Sequence, residues 1–128
     1  MTTILIAVDG DEGRAEAQAE AVANLEWADD AIDVRVFYVF TENPEGATAG
    51  QIGSVRAARD VLHAAGIDAT IEEASGDPAE RILERGEDVE LICVSGRKRS
   101  PTGKALFGSV SQQVLLGSDA PVLFVTDE

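Results

Sequence analysis

One stretch of the chain combines glycines, hydroxyl groups and positive charge in a pattern suited to binding an anion. Residues 95–104 read Ser-Gly-Arg-Lys-Arg-Ser-Pro-Thr-Gly-Lys, and Gly-Ser-Val follows at 108–110. Four of the ten lysines and arginines lie between Arg97 and Lys104, although the formal net charge of the chain is −14. An apolar run precedes the stretch and a helix-like run follows it, which predicts a turn from a buried strand into a helix. Unpaired N–H groups at a helix start favour phosphate.

The residue types within this stretch suit close contact with a phosphate chain. Gly96 and Gly108 lack a Cβ atom, so the backbone at both positions can approach a ligand. Ser109 adds a hydroxyl group beside the helix N–H groups, and Ser95 precedes the first of the two glycines. The combination predicts a site for a triphosphate.

Asp9 is the second candidate site residue. It ends the first apolar run, residues 4–8, where its carboxylate could accept a hydrogen bond from a ribose hydroxyl or help to hold a divalent cation. A carboxylate at this position could equally cap the following helix. The spacing favours neither interpretation.

The elements that must position these residues alternate between β-rich and helical runs. Predicted strands cover residues 3–8, 33–40, 67–74, 91–94 and 122–125, and predicted helices cover 12–27, 48–65, 79–85 and 108–116. This alternation predicts an α/β fold with an open five-stranded parallel sheet and helices on both faces. Ligands of such sheets bind at the carboxyl ends of the strands, so we expect Asp9 and the 95–108 loop to face one crevice.

Length and composition limit the classes of protein to consider. A chain of 128 residues predicts one domain over residues 1–128, and the single cysteine, Cys93, is expected to be a buried apolar residue in a reducing compartment. Residues 1–9 show no basic leader and no run approaches a membrane span, which predicts a cytoplasmic protein.

The acidic composition also limits the partners and indicates a solvent. The 24 acids against 10 bases would repel nucleic acid and anionic membranes over most of the surface, so we expect neither as a partner. Lys98 and Lys104 are the only lysines, and the acids are spread along the chain. Together these features predict an acidic surface adapted to high salt, which screens the self-repulsion.

Several nucleotide-binding and catalytic motifs do not fit. A P-loop needs four residues between its glycines, whereas six separate Gly96 from Gly103, and Ala105 stands where a magnesium-binding hydroxyl belongs. The glycine spacing after Asp9 does not match the dinucleotide fingerprint. A phospho-acceptor receiver would need an aspartate after the third strand, where the sequence has Ser-Gly. With one histidine and one cysteine, neither a nucleophile–base pair nor a zinc cluster can be argued.

Together, the segments on which these predictions rest resemble the universal stress protein family over nearly the whole chain. They are Ala7-Val8-Asp9-Gly10, Val36-Phe37-Tyr38-Val39, the loop from Gly96 to Ser109, the run Gly108-Ser109-Val110-Ser111-Gln112-Gln113-Val114-Leu115, and Ala120-Pro121-Val122-Leu123-Phe124-Val125. The resemblance implies a Rossmann-like sheet in strand order 3-2-1-4-5 and a homodimer formed through the last strand, Val122 to Val125. In one subgroup it implies ATP, with Mg²⁺, bound through Gly-x2-Gly-x9-Gly-Ser/Thr.

Carried onto this chain, the resemblance assigns a nucleotide site residue by residue. Adenine and ribose contacts fall on Ala7, Asp9 and Val39. Phosphate contacts fall on Gly96, Gly108, Ser109 and the Val110 backbone, with Ser95 beside them. The chain departs from the motif because Arg99 stands at the second glycine, and the distance from Gly96 to Gly108 is one residue shorter than the motif requires.

The departure leaves two hypotheses open. Arg97, Arg99 and the neighbouring lysines could replace the missing glycine by donating charge-assisted hydrogen bonds to the phosphates. In that case the protein is a stress-responsive regulator that binds ATP or a related adenine nucleotide. Alternatively, the same side chains fill the phosphate space, and the protein is a homodimeric interaction module without nucleotide, whose apolar last strand recruits another strand.

The sequence favours a binding protein over an enzyme. No general base can be named, so any ATP hydrolysis is expected to be slow or dependent on a partner. Adenylyl-group chemistry would need an acidic metal pair beyond Asp9 and Asp11, and the sequence does not provide one.

Overall fold

The computed structural model describes residues 1–27, 31–99, 104–106 and 108–127, without the side chains of residues 97–99, 104–106 and 127. Strands and helices alternate, as the sequence predicts. In chain order the elements are β1 (Thr2–Ala7), α1 (Glu12–Asn24), β2 (Ile32–Phe40), a 3₁₀ turn (Ala49–Gln51), α2 (Gly53–Ala64), β3 (Thr70–Ser75), α3 (Pro78–Gly86), β4 (Leu91–Arg99), β5 (Lys104–Leu106), α4 (Ser109–Gly117) and β6 (Val122–Asp127).

The main sheet has five parallel strands in the order β3-β2-β1-β4-β6. Counted along the chain without the short β5, this is the predicted order 3-2-1-4-5, and the fold prediction is confirmed. The direction of strand addition reverses between β1 and β4, since β2 and β3 extend the sheet to one side and β6 extends it to the other. In open α/β sheets a reversal of this kind leaves a crevice at the carboxyl ends of the strands.

The apolar residues form two clusters, one on each face of the sheet. Ile4 and Ile6 of β1 pack with α1 and α2 on one face, and Leu5 and Ala7 pack with α3 and α4 on the other. The alternation follows from the two-residue side-chain period of a strand, and a run that is apolar at every position is buried on both faces. The central strand is therefore fixed from both sides.

Two aspartates mark helix starts near the carboxyl edge of the sheet. Asp11 caps α1 by accepting a hydrogen bond from the Arg14 N–H at 2.9 Å, and Asp77 caps α3 by accepting one from the Glu80 N–H at 3.0 Å. Pro78 occupies the first helical position of α3, where a missing N–H costs nothing. The interpretation of Asp9 as the α1 cap is not what the structure has, because the capping side chain belongs to Asp11.

The segment predicted as a loop after residue 94 is more regular than expected. β4 continues to Arg99, and its end pairs antiparallel with β5, with Arg97 opposite Leu106 and Arg99 opposite Lys104. Charged residues and a glycine are typical of loops, so the sequence predicted a loop here. Pairing with β5 nevertheless satisfies the backbone hydrogen bonds of this segment as a strand. The backbone of the basic residues 97–99 is therefore a continuation of β4, a strand of the main sheet.

Among the described residues, no helix has the length and apolar character needed to cross a membrane.

Candidate nucleotide-binding site

A cavity of about 550 Å³ opens at the carboxyl ends of β1, β2 and β4. Its volume lies within the range of ordinary ligand pockets, about 300 to 1,000 Å³. Apolar side chains from β2, α3 and β4 form one part of its wall, and polar groups from the turns after β1 and before α4 form the other. The lining residues are Ala7, Val8, Asp9, Gly10, Arg14, Phe37, Tyr38, Val39, Thr41, Pro78, Ile82, Val94, Ser95, Gly96, Gly108, Ser109, Val110 and Ser111.

The cavity brings together most of the residues that the sequence singled out. Asp9 and the Gly108–Val110 segment are far apart in the chain, yet both line it. The side chains of Arg97 and Arg99 lie outside the described part of the structure, although their backbone continues β4 from the cavity wall. The predicted site residues found in the lining are Ala7, Asp9, Val39, Ser95, Gly96, Gly108, Ser109 and Val110.

Asp9 is held in place by hydrogen bonds at three of its atoms. Its Oδ1 accepts a hydrogen bond from the Asp11 N–H at 2.9 Å. Its Oδ2 accepts two from Arg14, at 3.1 Å from Nε and 2.8 Å from Nη2. Its backbone carbonyl accepts one from the buried Ser54 hydroxyl of α2 at 2.5 Å. The carboxylate that the sequence assigned to the site is therefore fixed before any ligand arrives.

A buried glutamine bridges the two strands at the base of the crevice. β1 and β4 pair through Ile6 and Cys93. Just beyond, Gln18 Nε2 donates to the Ala7 carbonyl at 2.8 Å and to the Cys93 carbonyl at 3.1 Å. Gln18 is fully buried, and its Oε1 has no hydrogen-bond partner among the described residues. Beyond Ile6 and Cys93 the two strands no longer pair, and Gln18 bonds one carbonyl group of each strand. The side chain therefore supports the backbone on both sides of the opening.

The N-terminus of α4 forms the opposite wall of the cavity. Gly108 is the N-cap and makes no side-chain cap, so the first N–H groups of the helix are left for other partners. The buried Ser111 donates its hydroxyl to the Ser95 carbonyl at 2.7 Å, which ties α4 to the end of β4. The glycine, the helix start and Ser109 are thereby placed at one wall, an arrangement suited to an anionic group.

Sequence reasoning missed part of the lining. Arg14 and Thr41 contribute polar groups, and Tyr38, Pro78 and Ile82 contribute surface. Arg14 looked like one of many helix-surface charges, and only its position five residues after Asp9 could have indicated the ion pair. Thr41 directly follows β2, so the rule that sites lie at the carboxyl ends of strands could have found it.

Two other chemistries have little support in the structure. Burial raises the pKa of the Cys93 thiol to about 12, against a smaller lowering by its hydrogen bond with Gln18, so the thiol stays protonated and inert at neutral pH. In the parts of the chain that are described, no three His, Cys, Asp or Glu side chains are grouped so as to hold a metal ion.

The chain matches known proteins over almost its full length. The model of the universal stress protein family matches residues 1–126. Stress response protein NhaX of Bacillus subtilis is 37% identical over 70 residues, which are 53% of this chain and 42% of that protein. A universal stress protein of Mycolicibacterium smegmatis is 37% identical over 82 residues, which are 62% of this chain and 61% of that protein. The matched region thus spans about half the length of these relatives.

Solved structures share the fold. A universal stress protein from Archaeoglobus fulgidus superposes with a TM-score of 0.75 at 25% identity, covering 98% of both chains. A universal stress protein in complex with cAMP superposes with a TM-score of 0.74 at 24% identity, covering 99% of this chain and 98% of that one. A family member from Arabidopsis thaliana with AMP bound superposes with a TM-score of 0.71 at 15% identity, covering 100% of this chain and 93% of that one. With the family match over residues 1–126, we conclude that this chain belongs to the universal stress protein family.

Proposed function

We propose that the chain binds an adenine nucleotide in the cavity at the ends of β1, β2 and β4, and that it acts as a stress-responsive regulator through its bound state. The observation that carries the proposal is the lining of the cavity, which has an apolar wall for a base, a fixed carboxylate for a sugar and a helix N-terminus for phosphates. The members solved with cAMP and with AMP share this fold, which supports the same ligand class here.

The three parts of the lining suit the three parts of a nucleotide. The base would lie against Val39 and Ile82, which are apolar and partly or fully buried. The sugar would meet Asp9, and the phosphates would extend toward the α4 N-terminus and Ser109. The basic residues Arg97 and Arg99 follow in β4, where charge-assisted hydrogen bonds could replace the motif's second glycine.

Calorimetric titration with ATP, AMP and cAMP, with and without magnesium, tests the proposal. It is done at low and high potassium chloride, because the net charge of −14 opposes anion binding most at low salt. We expect dissociation constants in the micromolar range, or nucleotide released from the purified protein on denaturation. Absence of heat up to millimolar nucleotide at both salt concentrations would refute the proposal.

One observation favours a second candidate, a homodimeric interaction module without nucleotide. Among the described residues, β6 pairs with β4 alone, and its residues Val122 to Val125 remain only partly buried. An apolar strand at the end of a sheet is suited to pair with a second copy. Analytical ultracentrifugation of the wild type should show a dimer, and a monomer at all concentrations would contradict this candidate. Neither proposal includes ATP hydrolysis. We also propose that the protein is located in the cytoplasm.

A further inference from the structure

Arg14 is a largely buried cation in the wall of the cavity, and neither the motif nor the resemblance assigned it a role. Its side chain is 14% exposed, whereas that of Asp9 is 50% exposed. Both guanidinium donors that reach Asp9 converge on one oxygen, Oδ2, at 2.8 and 3.1 Å. A second carboxylate, from Asp11, lies 3.6 Å from Arg14 Nη1. Arg14 thus packs behind Asp9 and leaves the carboxylate as the more accessible of the two groups.

The hydrogen bonds among the described residues leave Asp9 with acceptor capacity at one oxygen. Each carboxylate oxygen offers about two lone-pair sites. Arg14 takes both on Oδ2, and the Asp11 N–H takes one on Oδ1. A neutral donor such as a sugar hydroxyl can use the remaining site on Oδ1.

We propose that Arg14 is a positioning residue that fixes the Asp9 carboxylate as the acceptor for a ribose hydroxyl, and thereby sets a preference for ribonucleotides over deoxyribonucleotides. This inference rests on the proposed nucleotide binding. An acceptor held in place loses no conformational freedom when the ligand binds, so its hydrogen bond contributes more to affinity. A site built to bond a hydroxyl group rejects an analogue that lacks it, because the polar partner is left unpaired.

The test compares ligands that differ only in the sugar or in the phosphates. Calorimetry gives dissociation constants of ATP, 2′-deoxy-ATP, 3′-deoxy-ATP and adenosine for the wild type and for Arg14→Met, which keeps an unbranched apolar stem but removes the guanidinium donors. In the wild type we expect ATP to bind about tenfold more tightly than one of the deoxy analogues, as for a hydrogen bond to a charged group. In Arg14→Met that ratio should fall to about twofold or less, with ATP and adenosine weakened by similar factors.

Two further variants show whether Arg14 acts through Asp9. Arg14→Lys keeps a charge near Asp9 and should retain part of the ribose preference. If the effect passes through Asp9, then in an Asp9→Asn background the Arg14→Met substitution should leave the ribose preference unchanged. Where Arg14→Met proves too unstable to titrate, the same comparison is made with Arg14→Lys in the wild type and in the Asp9→Asn background.

The chain provides a matched control in Arg35. This arginine also donates from Nε and Nη2 to a single aspartate oxygen, Oδ2 of Asp33, at 3.1 and 3.0 Å, but it lies near the start of β2, away from the cavity. Arg35→Met should keep the ribose preference of the wild type.

Three results would overturn the inference while leaving the proposed function intact. They are an unchanged ribose preference in Arg14→Met, an equal weakening of every ligand including the deoxy analogues, and a loss that grows from adenosine to ATP, which would mean that Arg14 contacts the phosphates directly. A wild type that binds no nucleotide would instead refute the proposed function, and this inference with it.

Discussion

At the scale of single residues, the molecule concentrates its buried polar groups around the crevice. The buried polar side chains among the described residues are Gln18, Ser54 and Ser111, and each donates to a backbone carbonyl at or just after the end of β1, or in the first half of β4. A buried polar group is costly unless it is bonded, so these positions are explained by the backbone that they hold. The cavity therefore has a wall supported from beneath by three helices.

Gly108 should be required for nucleotide binding but not for folding. Its φ of −71° suits any residue, and a Cβ atom there would meet nothing within 4 Å, so Gly108→Val is compatible with the fold. The added side chain would stand at the α4 N-terminus and keep phosphate from the helix N–H groups. We expect at least a tenfold loss of ATP affinity by calorimetry, about 1.4 kcal/mol.

The control for that substitution is Gly50→Val. A Cβ atom at Gly50 would likewise meet nothing within 4 Å, and Gly50 does not line the cavity. This variant should bind ATP as the wild type does. Equal affinity in Gly108→Val and Gly50→Val would show that the α4 N-terminus does not contact the ligand.

Cys93 should make the fold sensitive to alkali. Its pKa is raised from 9.0 to about 12 in the folded protein, so above pH 9 the unfolded chain releases a proton that the folded chain retains. The stabilisation is complete below pH 9 and is lost between pH 9 and 12, at about 1.4 kcal/mol per pH unit. Urea denaturation from pH 8 to 11 measures this slope, and Cys93→Ala should be less steep by that amount. Parallel slopes in the two proteins would contradict the assignment.

At the scale of elements, the sequence predicted each strand of the parallel sheet and each of the four helices, because their signals are local. Continuous apolar runs indicate buried strands, and Asp77-Pro78 indicates a helix start. The β4–β5 pairing and the division of the second predicted helix into a 3₁₀ turn and α2 were missed. The β4–β5 pairing depends on a partner strand, and the division of the helix depends on a turn inside one continuous apolar pattern. Neither can be predicted from the spacing of apolar residues along the chain. The cavity lining follows the same rule: lining residues at strand ends were predicted from the sequence, whereas the Arg14–Asp9 ion pair was not.

The packing of α3 on β4 should depend on the absence of a side chain at Gly86. A Cβ atom there would overlap the Cδ1 atom of Ile92, which is 1% exposed. We expect Gly86→Ala to lower the free energy of unfolding by about 1 to 3 kcal/mol, as for other overpacked cores, despite the higher helix propensity of alanine. Chemical denaturation measures this change.

A second substitution shows whether that overlap is the cause. Ile92→Val removes the Cδ1 atom, so Gly86→Ala should cost less in the Ile92→Val background than in the wild type. Gly50→Ala, where a Cβ atom meets no neighbour within 4 Å, should change stability little. Additive effects of the two substitutions would mean that the cost at Gly86 has another origin.

At the scale of the whole molecule, the net charge of −14 should make stability rise with salt. Glu12, Glu16 and Glu20 repeat every four residues on the exposed side of α1, a spacing at which like charges repel. We expect a higher urea midpoint in 2 M potassium chloride than in 0.1 M, and Glu16→Lys should raise the midpoint in 0.1 M alone. A midpoint independent of salt would contradict the predicted adaptation.

The position of the only tryptophan separates two optical signals. Trp27 follows the C-terminal end of α1, where its Nε1 donates to the Val22 carbonyl at 3.1 Å, while the cavity lies at the other end of that helix. Emission excited at the red edge of indole absorption, where adenine does not absorb, will therefore report unfolding without a direct change on ligand binding. Denaturation curves can therefore be recorded by fluorescence with nucleotide present. The shift of their midpoint then measures the affinity of the folded protein for the nucleotide.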